Sequence, residues 1–147
     1  MALDDIDRHI IALLQADARM PIKTLADHIG LSAPGTSDRL RRLEERGVIR
    51  GFILEVDLHA LGYSLQAIVR VKPLPGKLQA VQKLLEAIPE LIECDKVTGD
   101  DCFIARLCLR SIEHLDFILE GVRDKAETNS SIVKSQLVAR RLPLPRH

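Results

Sequence analysis

Apolar side chains recur every three or four residues through the first third of the chain, the spacing that gives a helix one buried face. The first predicted helix starts at Asp4 or Asp5, either of which can cap it, and runs to about Gln15. A break at residues 16–21 ends this helix, and Pro21 opens the next one. The predicted buried stripe of the first helix consists of Ile6, Ile10, Leu13 and Leu14.

The spacing of apolar residues in 22–46 predicts two short helices joined by a tight turn. Gly30 ends the first of the two, because a left-handed residue after the last turn costs glycine little. Ser32 is a suitable N-cap for the second, and Pro34 lies in its first turn, where no N–H is needed. The predicted buried residues of this second helix are Thr36, Leu40 and Leu43.

This helix pair has the features of a helix-turn-helix. Ala26 is small where the helices cross, and Gly30 follows where the turn needs a permissive backbone. The outer face of the second helix begins with small and polar residues flanked by arginines, so it can enter a major groove about 12 Å wide. The residues predicted to contact DNA are Ser32, Pro34, Gly35, Ser37, Asp38, Arg39, Arg41 and Arg42. The alternative, a helical protein-interaction module with a solvated charged face, explains the arginines but not the small-residue turn.

After Gly47, which ends the last of these helices, residues 48–56 change to an apolar, β-like run. Such a strand is too apolar to lie alone on a surface, and no second arm with a hairpin turn follows to complete a wing. We expect it to pair with a second copy of the chain across a two-fold axis. The predicted domains are a (winged) helix-turn-helix domain at 1–47, a β hinge and linker at 48–62, and a second domain at 63–147.

From Tyr63 onward apolar positions alternate with polar ones, which is typical of strands with two unlike faces. Strands and helices follow in the order βαββαβ, which predicts an α+β, ferredoxin-like split sandwich with both helices on one sheet face. The predicted strands lie at about 63–72, 91–97, 102–109 and 132–140, and the predicted helices at about 78–88 and 112–125.

The sheet face without helices is predicted to be half apolar and half charged. Its expected residues are Ile68, Ile104, Cys108, Ile132 and Val138, beside Arg70, Arg106, Lys134 and Gln136. This mixture suits a sheet that meets a partner sheet, although an ordinary solvated face is the alternative. A homodimer also meets a need of DNA binding, because a two-fold pair of helices covers half-sites about 34 Å apart, or a multiple of that spacing.

Composition narrows the function classes. The 147 residues carry no formal net charge, which argues against a nonspecific polycation, yet residues 39–50 hold five arginines. Aromatic residues make up only 3%, too few for a platform that stacks single-stranded bases. A basic strip on a neutral protein suits docking on double-stranded DNA, with a modest, salt-dependent affinity per module.

Other features bear on location and cofactors. No apolar run approaches the length of a membrane span and no secretory segment is recognised, so we expect a cytoplasmic protein without a membrane partner. Cys94, Cys102 and Cys108 lack CxxC spacing, which fits a reducing compartment. The five histidines are scattered singly, so neither a metal site nor any cofactor is expected.

The whole chain resembles the Lrp/AsnC family, the feast/famine regulators of bacteria and archaea. The motifs that carry the resemblance lie at residues 3–7, 25–26, 30–32, 39–44, 47–52, 61–62 and 97–99. The resemblance implies a DNA-binding domain, a β hinge and an effector-binding ferredoxin-like domain. It also implies homodimers that commonly assemble into octamers of four dimers, and a small effector, often an amino acid, that shifts assembly or DNA affinity.

The resemblance places the effector site at the turn between the second and third strands of the second domain. The corresponding residues are Thr98, Gly99, Asp100, Asp101 and Cys102. Backbone N–H groups at such a turn can receive a carboxylate, and an aspartate can receive an ammonium group. The alternative is a plain β-turn. The chain departs from the family where Cys102 stands in place of a second acidic residue before an aromatic, and residues 125–128 lack the usual Gly-Val turn.

Two other functions are weighed against a DNA-binding regulator. A branch that resembles this family decarboxylates sirohaem and depends on a histidine-rich stretch, but residues 93–97 contain no histidine here. Cys94 and Cys102 lie in predicted strands without a neighbouring histidine, so we expect buried, inert thiols and no catalytic residue. An effector-sensing subunit without DNA is the third class. The sequence favours a regulator that binds specific DNA sequences.

Overall fold

The structure, a computed structural model, describes residues 2–100 and 102–143. The chain separates into two compact units. The first unit contains the N-terminal helices up to Glu55 together with the described residues from Val138 onward, and the second spans Val56–Leu137. None of the helices in the described part of the chain has the length and apolarity that a membrane span needs.

Three helices form the first unit. They are α1 (Asp5–Ala16), α2 (Ile22–Ile29) and α3 (Ala33–Glu45). Asp4 caps α1 by accepting a hydrogen bond from the Asp7 N–H at 2.7 Å, and the Ser32 hydroxyl accepts one from the Gly35 N–H at 3.2 Å. Gly30 has a φ of 70°, the left-handed conformation that ends α2. The predicted helices, the Ser32 cap and the glycine corner are therefore confirmed.

The core of the first unit is small. Its buried apolar residues are Ile10, Leu14, Leu25, Ala26 and Leu43. Thr36 is also fully buried, and its hydroxyl donates a hydrogen bond to the Ser32 carbonyl at 2.9 Å, so the burial leaves no unpaired polar group. Leu40 is only partly buried but packs against the same core. The predicted inner face of α3 is confirmed.

The predicted strand at 48–56 is absent from the described chain, and so is any wing. Phe52, Ile53, Leu54 and Val56 are exposed along this segment. A strand needs a hydrogen-bonded neighbour, and no strand of the described sheet pairs with these residues. Pairing with a second copy of the chain therefore stays a prediction.

The second unit has the predicted βαββαβ order. Its elements are β1 (Leu65–Pro73), α4 (Leu78–Glu86), β2 (Leu91–Lys96), β3 (Phe103–Leu109), α5 (Ile112–Glu120) and β4 (Ala126–Ile132). The sheet has the order β2-β3-β1-β4, and every neighbouring pair is antiparallel. One core lies between the sheet and the two helices. Its buried members are Ala67, Val69, Val71, Val81, Leu85, Phe103, Ala105, Leu107, Leu109, Leu115, Val122 and Ala126.

The end of this unit differs from the prediction. The helix α5 stops at Glu120 instead of near 125, and the last strand occupies Ala126–Ile132 instead of 132–140. The strand pairs with β1 from Pro73 opposite Ala126 to Ala67 opposite Ile132. Its sequence AETNSSI is poor in β-formers, so the tertiary pairing overrides the local preference.

This shift corrects the predicted composition of the open sheet face. Residues directly opposite each other share a face, so Ile132 lies on the same side as the buried Ala67. Lys134, Gln136 and Val138 follow the strand instead of belonging to it. The residues that the register does place on the open face include Ile68, Arg70, Ile104, Arg106 and Cys108.

Candidate DNA-binding face and effector site

Thr36 and Leu43 are buried on the inner side of α3, so the opposite side of this helix faces outward. Ser32, Pro34, Ser37, Arg41 and Arg42 are exposed, and Gly35 and Asp38 are half-buried. A Cβ on Gly35 would lie 3.1 Å from the Ser32 Oγ, so a small residue here protects the helix cap. The structure thus brings the predicted contact residues, apart from Arg39, onto one accessible surface, which we call the recognition face.

A shared carboxylate holds the two arginines of this face. Arg41 pairs with Asp38 at 2.5 Å and with Glu45 at 2.6 Å, and Arg42 also pairs with Asp38. The hydrogen bond from Arg41, followed by the charge of Arg42, keeps the pKa of the Asp38 carboxyl below its usual value. These pairs are exposed and contribute little to stability. Their effect is to orient both guanidinium groups on the recognition face.

Arg39 has a different environment. Its guanidinium donates hydrogen bonds to the Asp4 carboxylate at 2.6 Å and to the Asp7 carboxylate at 3.0 Å. Asp7 is buried, and the hydrogen bonds that Arg39 donates to the two aspartates, Asp4 first, raise the pKa of Arg39. Arg39 therefore links α3 to α1. This contact was missed by sequence reasoning, and the geometry does not favour the predicted contact of Arg39 with DNA.

The predicted effector turn joins β2 to β3. The Val97 N–H donates a hydrogen bond to the Cys102 carbonyl at 2.8 Å, and Gly99 has a φ of 109°, which requires glycine. Thr98, Gly99 and Asp100 are exposed, whereas Cys102 is half-buried against the core of the second unit. Asp101 lies outside the described residues. On a single chain the turn is open to solvent.

A cleft of about 230 Å³ lies beside this turn, between α4 and the strands β2 and β3. Sequence reasoning did not identify it. Its lining residues are Gln82, Leu85, Glu86, Leu91, Cys94, Lys96 and Phe103. The described residues of the turn are not among them. The sequence indicates this cleft only through Cys94 and Lys96, which are two positions apart and therefore lie on the same face of β2.

The three cysteines lie in different environments. Cys94 is exposed, contrary to the prediction of a buried thiol, Cys102 is half-buried and Cys108 is buried. Desolvation, and secondly the charge of Asp95, raises the pKa of the Cys94 thiol, and desolvation raises that of Cys108. Protonated thiols are weak nucleophiles. Within the described residues no group of three or more His, Cys, Asp or Glu side chains is arranged to hold a metal ion.

The comparisons with known proteins define the class. Residues 3–50 match the family model described as winged helix-turn-helix DNA-binding, and residues 66–143 match the Lrp/AsnC ligand binding domain. A helix-turn-helix followed by a ligand-binding domain defines a DNA-binding transcriptional regulator that responds to a small molecule. The chain belongs to the Lrp/AsnC family, which confirms both the resemblance and the predicted fold class.

Individual relatives agree with this assignment. The chain is 34% identical to the HTH-type transcriptional regulator LrpA of Mycobacterium tuberculosis, over 98% of each chain. It is 35% identical to the regulator AldR of Mycolicibacterium smegmatis, over 92% of this chain and 83% of AldR. A feast or famine regulatory protein of Mycobacterium tuberculosis complexed with L-methionine matches with a TM-score of 0.90 and 33% identity, over 98% and 100% of the two chains. These relatives are named as regulators, and nothing in them favours the sirohaem alternative.

Proposed function

We propose that this regulator binds duplex DNA through the recognition face of α3 as a homodimer, and that an amino acid shifts its assembly or its affinity for DNA. The observation that carries the proposal is the recognition face itself. Small residues at its N-terminal end, including Ser32, Gly35 and Ser37, allow close approach to base edges. Arg41 and Arg42 supply guanidinium groups suited to phosphate oxygens or to a guanine edge.

The hinge at 48–56 supports the homodimer. Ile53 and Leu54 are 82% and 87% exposed in the single chain, next to the half-exposed Phe52. The N–H groups of Val48 and Ile49 donate to the Leu43 carbonyl, but no backbone hydrogen bond within the described residues involves 50–56, and such an apolar segment is a template for another strand. Pairing of two hinges across a two-fold axis would cover these side chains and set two copies of α3 about 34 Å apart, or at a multiple of that spacing.

Replacing Ile53 and Leu54 together with aspartate is expected to dissociate the dimer, since it introduces like charges where two hinges pair. The dimer dissociation constant should rise by about tenfold or more, measured by analytical ultracentrifugation. Leu61→Asp is the matched control, because Leu61 is also more than half exposed but lies beyond the hinge. A double variant that remains as dimeric as the Leu61→Asp control would contradict hinge pairing.

The effector is proposed to act by linkage. A ligand that binds one assembly better than another shifts the equilibrium by its differential affinity, typically about 1–3 kcal/mol. We place this equilibrium between dimers and octamers of four dimers, with the hinge transmitting the change to the paired recognition faces. The L-methionine bound by the related regulator supports an amino acid as the effector class. The protein would act in the cytoplasm, where its three cysteines stay reduced.

The proposal is tested by selecting bound duplex fragments from genomic DNA with the full chain, and then titrating the protein onto the selected operator with each proteinogenic amino acid. At least one amino acid should change the apparent affinity by about 5-fold to 150-fold. The same ligand should raise the melting temperature, because it binds only the native state. Selection of no preferred sequence would overturn the DNA-binding part. An operator affinity and a melting temperature that no amino acid changes would overturn the effector part.

A further inference from the structure

Arg39 differs from the arginines of the recognition face in its burial and in its partners. Its side chain is 30% exposed, against 58% for Arg41 and 64% for Arg42. It lies three residues after Thr36 and four before Leu43, so it projects from near the buried side of α3. Its guanidinium is bonded to side chains at the start of α1 and does not belong to the recognition face.

The two carboxylates that hold Arg39 come from the cap and the first turn of α1. One nitrogen of Arg39, Nη1, donates to the Asp4 Oδ2 at 2.6 Å and to the Asp7 Oδ1 at 3.0 Å. The other oxygen of Asp4 accepts the Asp7 N–H at 2.7 Å. This backbone hydrogen bond, followed by the one from Arg39, keeps the pKa of the Asp4 carboxyl below its usual value. The ionised Asp4 thus caps α1 and also joins it to the middle of α3, and we call these three residues the inter-helix bridge.

The burial of Asp7 gives the bridge its structural effect. The Asp7 side chain is only 11% exposed, and Arg39 supplies the opposite charge at 3.0 Å. A buried charge that loses its partner is strongly destabilising. The apolar contacts in the small core of this unit are non-directional, whereas hydrogen bonds between charged groups have a required geometry. The bridge is therefore the contact that fixes how α3 is turned against α1.

The charges of the bridge make Arg39 a poor partner for DNA. Asp4 and Asp7 set two negative charges against the single positive charge of Arg39. A phosphate that approached this guanidinium would meet both carboxylates, and like charges brought together at an interface are unfavourable. Arg39 can therefore affect DNA binding through the orientation of α3 and not through a contact of its own.

We infer that Arg39 is a positioning residue for sequence recognition, which holds α3 through Asp4 and Asp7 so that the recognition face meets base edges. This role rests on the proposed function, in which α3 reads duplex DNA. Base readout needs donors and acceptors aligned with the groove, whereas nonspecific binding depends mainly on charge near phosphates. Loss of the bridge should therefore lower the affinity for the operator much more than the affinity for unrelated duplex DNA.

The test compares binding of the full chain to the selected operator and to an unrelated duplex of equal length, by fluorescence anisotropy at several salt concentrations. Arg39→Met should weaken operator binding by about tenfold or more and change nonspecific binding by less than about threefold. The salt slope should stay the same, because no phosphate contact is lost. Arg8→Met is the matched control, since Arg8 lies in the same unit but pairs with Asp5 within α1, at 3.0 Å. This control should bind both duplexes as the unmodified chain does.

Asp7→Asn distinguishes a positioning residue from a DNA contact by the sign of its effect. Asparagine keeps the shape of the side chain and removes its charge, so a positioning Arg39 is held less firmly and operator affinity should fall by about threefold or more. If Arg39 bound DNA, the same change would release it towards a phosphate, and operator affinity would rise. Such a rise, or a salt slope lowered by about one unit in Arg39→Met, would overturn the inference.

The double variant Arg39→Met with Asp7→Leu separates positioning from stability. It replaces the buried pair with apolar side chains, an exchange that is often neutral or stabilising, and thermal unfolding verifies this. The ratio of operator to nonspecific affinity should nevertheless stay lowered as in Arg39→Met. A double variant with the ratio of the unmodified chain would show that the bridge contributes only stability. Selection of no operator by the unmodified chain would remove the proposed function, whereas unchanged operator binding in Arg39→Met would remove only the positioning role.

Discussion

Replacing Arg41 and Arg42 together with alanine is expected to weaken operator binding by about 30-fold for each recognition face, and so by roughly 1,000-fold for a dimer that docks two faces, at physiological salt. Each arginine contact with a base edge or phosphate contributes about 1–3 kcal/mol, and the double variant removes two such contacts from each recognition face. The lower end of the range applies, because Asp38 already holds both guanidinium groups and competes with DNA for them. Electrophoretic mobility shift or fluorescence anisotropy measures the change.

The salt dependence distinguishes phosphate contacts from base contacts. Each arginine that binds a phosphate should lower the slope of log affinity against log salt by about one unit when it is lost. Arg123→Ala is the matched control, since Arg123 is exposed and ion-paired with Glu120 in a comparable way, but lies after α5 in the second unit. Equal operator binding by the double variant and this control would remove the assignment of α3 as the recognition helix.

Asp38→Asn is expected to strengthen nonspecific DNA binding, whereas the arginine substitutions weaken operator binding. It removes the carboxylate that neutralises Arg41 and Arg42, so binding to unrelated duplex DNA should strengthen. Binding to the operator should gain less, because the arginines are no longer held in one orientation. The ratio of operator affinity to nonspecific affinity is therefore expected to fall, and titrations on both duplexes at one salt concentration measure it.

Leu43→Ala is expected to unfold the first unit while the second unit stays folded. Leu43 is 1% exposed and packs with Ile10, Leu14 and Leu25 in a core of few residues. A buried leucine replaced by alanine costs about 2–5 kcal/mol, and a unit of about 50 residues has little stability beyond that. DNA binding should be lost at 37 °C, whereas amino-acid binding should persist, since the second core contains none of these residues.

Hydrogen exchange of the full chain measures whether the first unit unfolds while the second unit stays folded. Amides of α1, α2 and α3 should lose protection in Leu43→Ala, and those of β1 and β3 should keep it. Leu31→Ala is the control, because Leu31 is 36% exposed at the turn, against 1% for Leu43, so its truncation removes less buried area. Uniform loss of protection across both units would show that they unfold together, which contradicts the prediction.

Helix boundaries in the first unit follow from local chemistry. A capping hydroxyl at Ser32, a proline in the next turn and a left-handed Gly30 act within a few residues of their own position. For this reason the sequence predicts α2, the turn and α3 to within a residue or two. The ion pairs of Asp38 with Arg41 and Arg42 also depend on local spacing, because residues three and four positions apart lie on one face of a helix.

Strands are less predictable because a strand needs a partner. Residues 48–56 are apolar and β-like, yet no described strand pairs with them, so they form no strand in the single chain. The opposite error occurs at Ala126–Ile132, where a segment rich in turn-formers becomes a strand because β1 offers an unpaired edge. The alternation in 132–140 predicts a strand from local preference alone, which the ladder with β1 overrides.

The sequence by itself determined the fold class, the family and the position of the turn between β2 and β3, and it predicted the recognition face apart from Arg39, because each depends on short-range spacing or on motifs. Only the tertiary structure decided that Arg39 pairs with Asp7 of α1 and with Asp4, which caps that helix. It also decided that a cleft lies between α4 and the strands β2 and β3. Contacts of this kind join residues far apart in the chain, and their geometry exists only once helices and strands have packed.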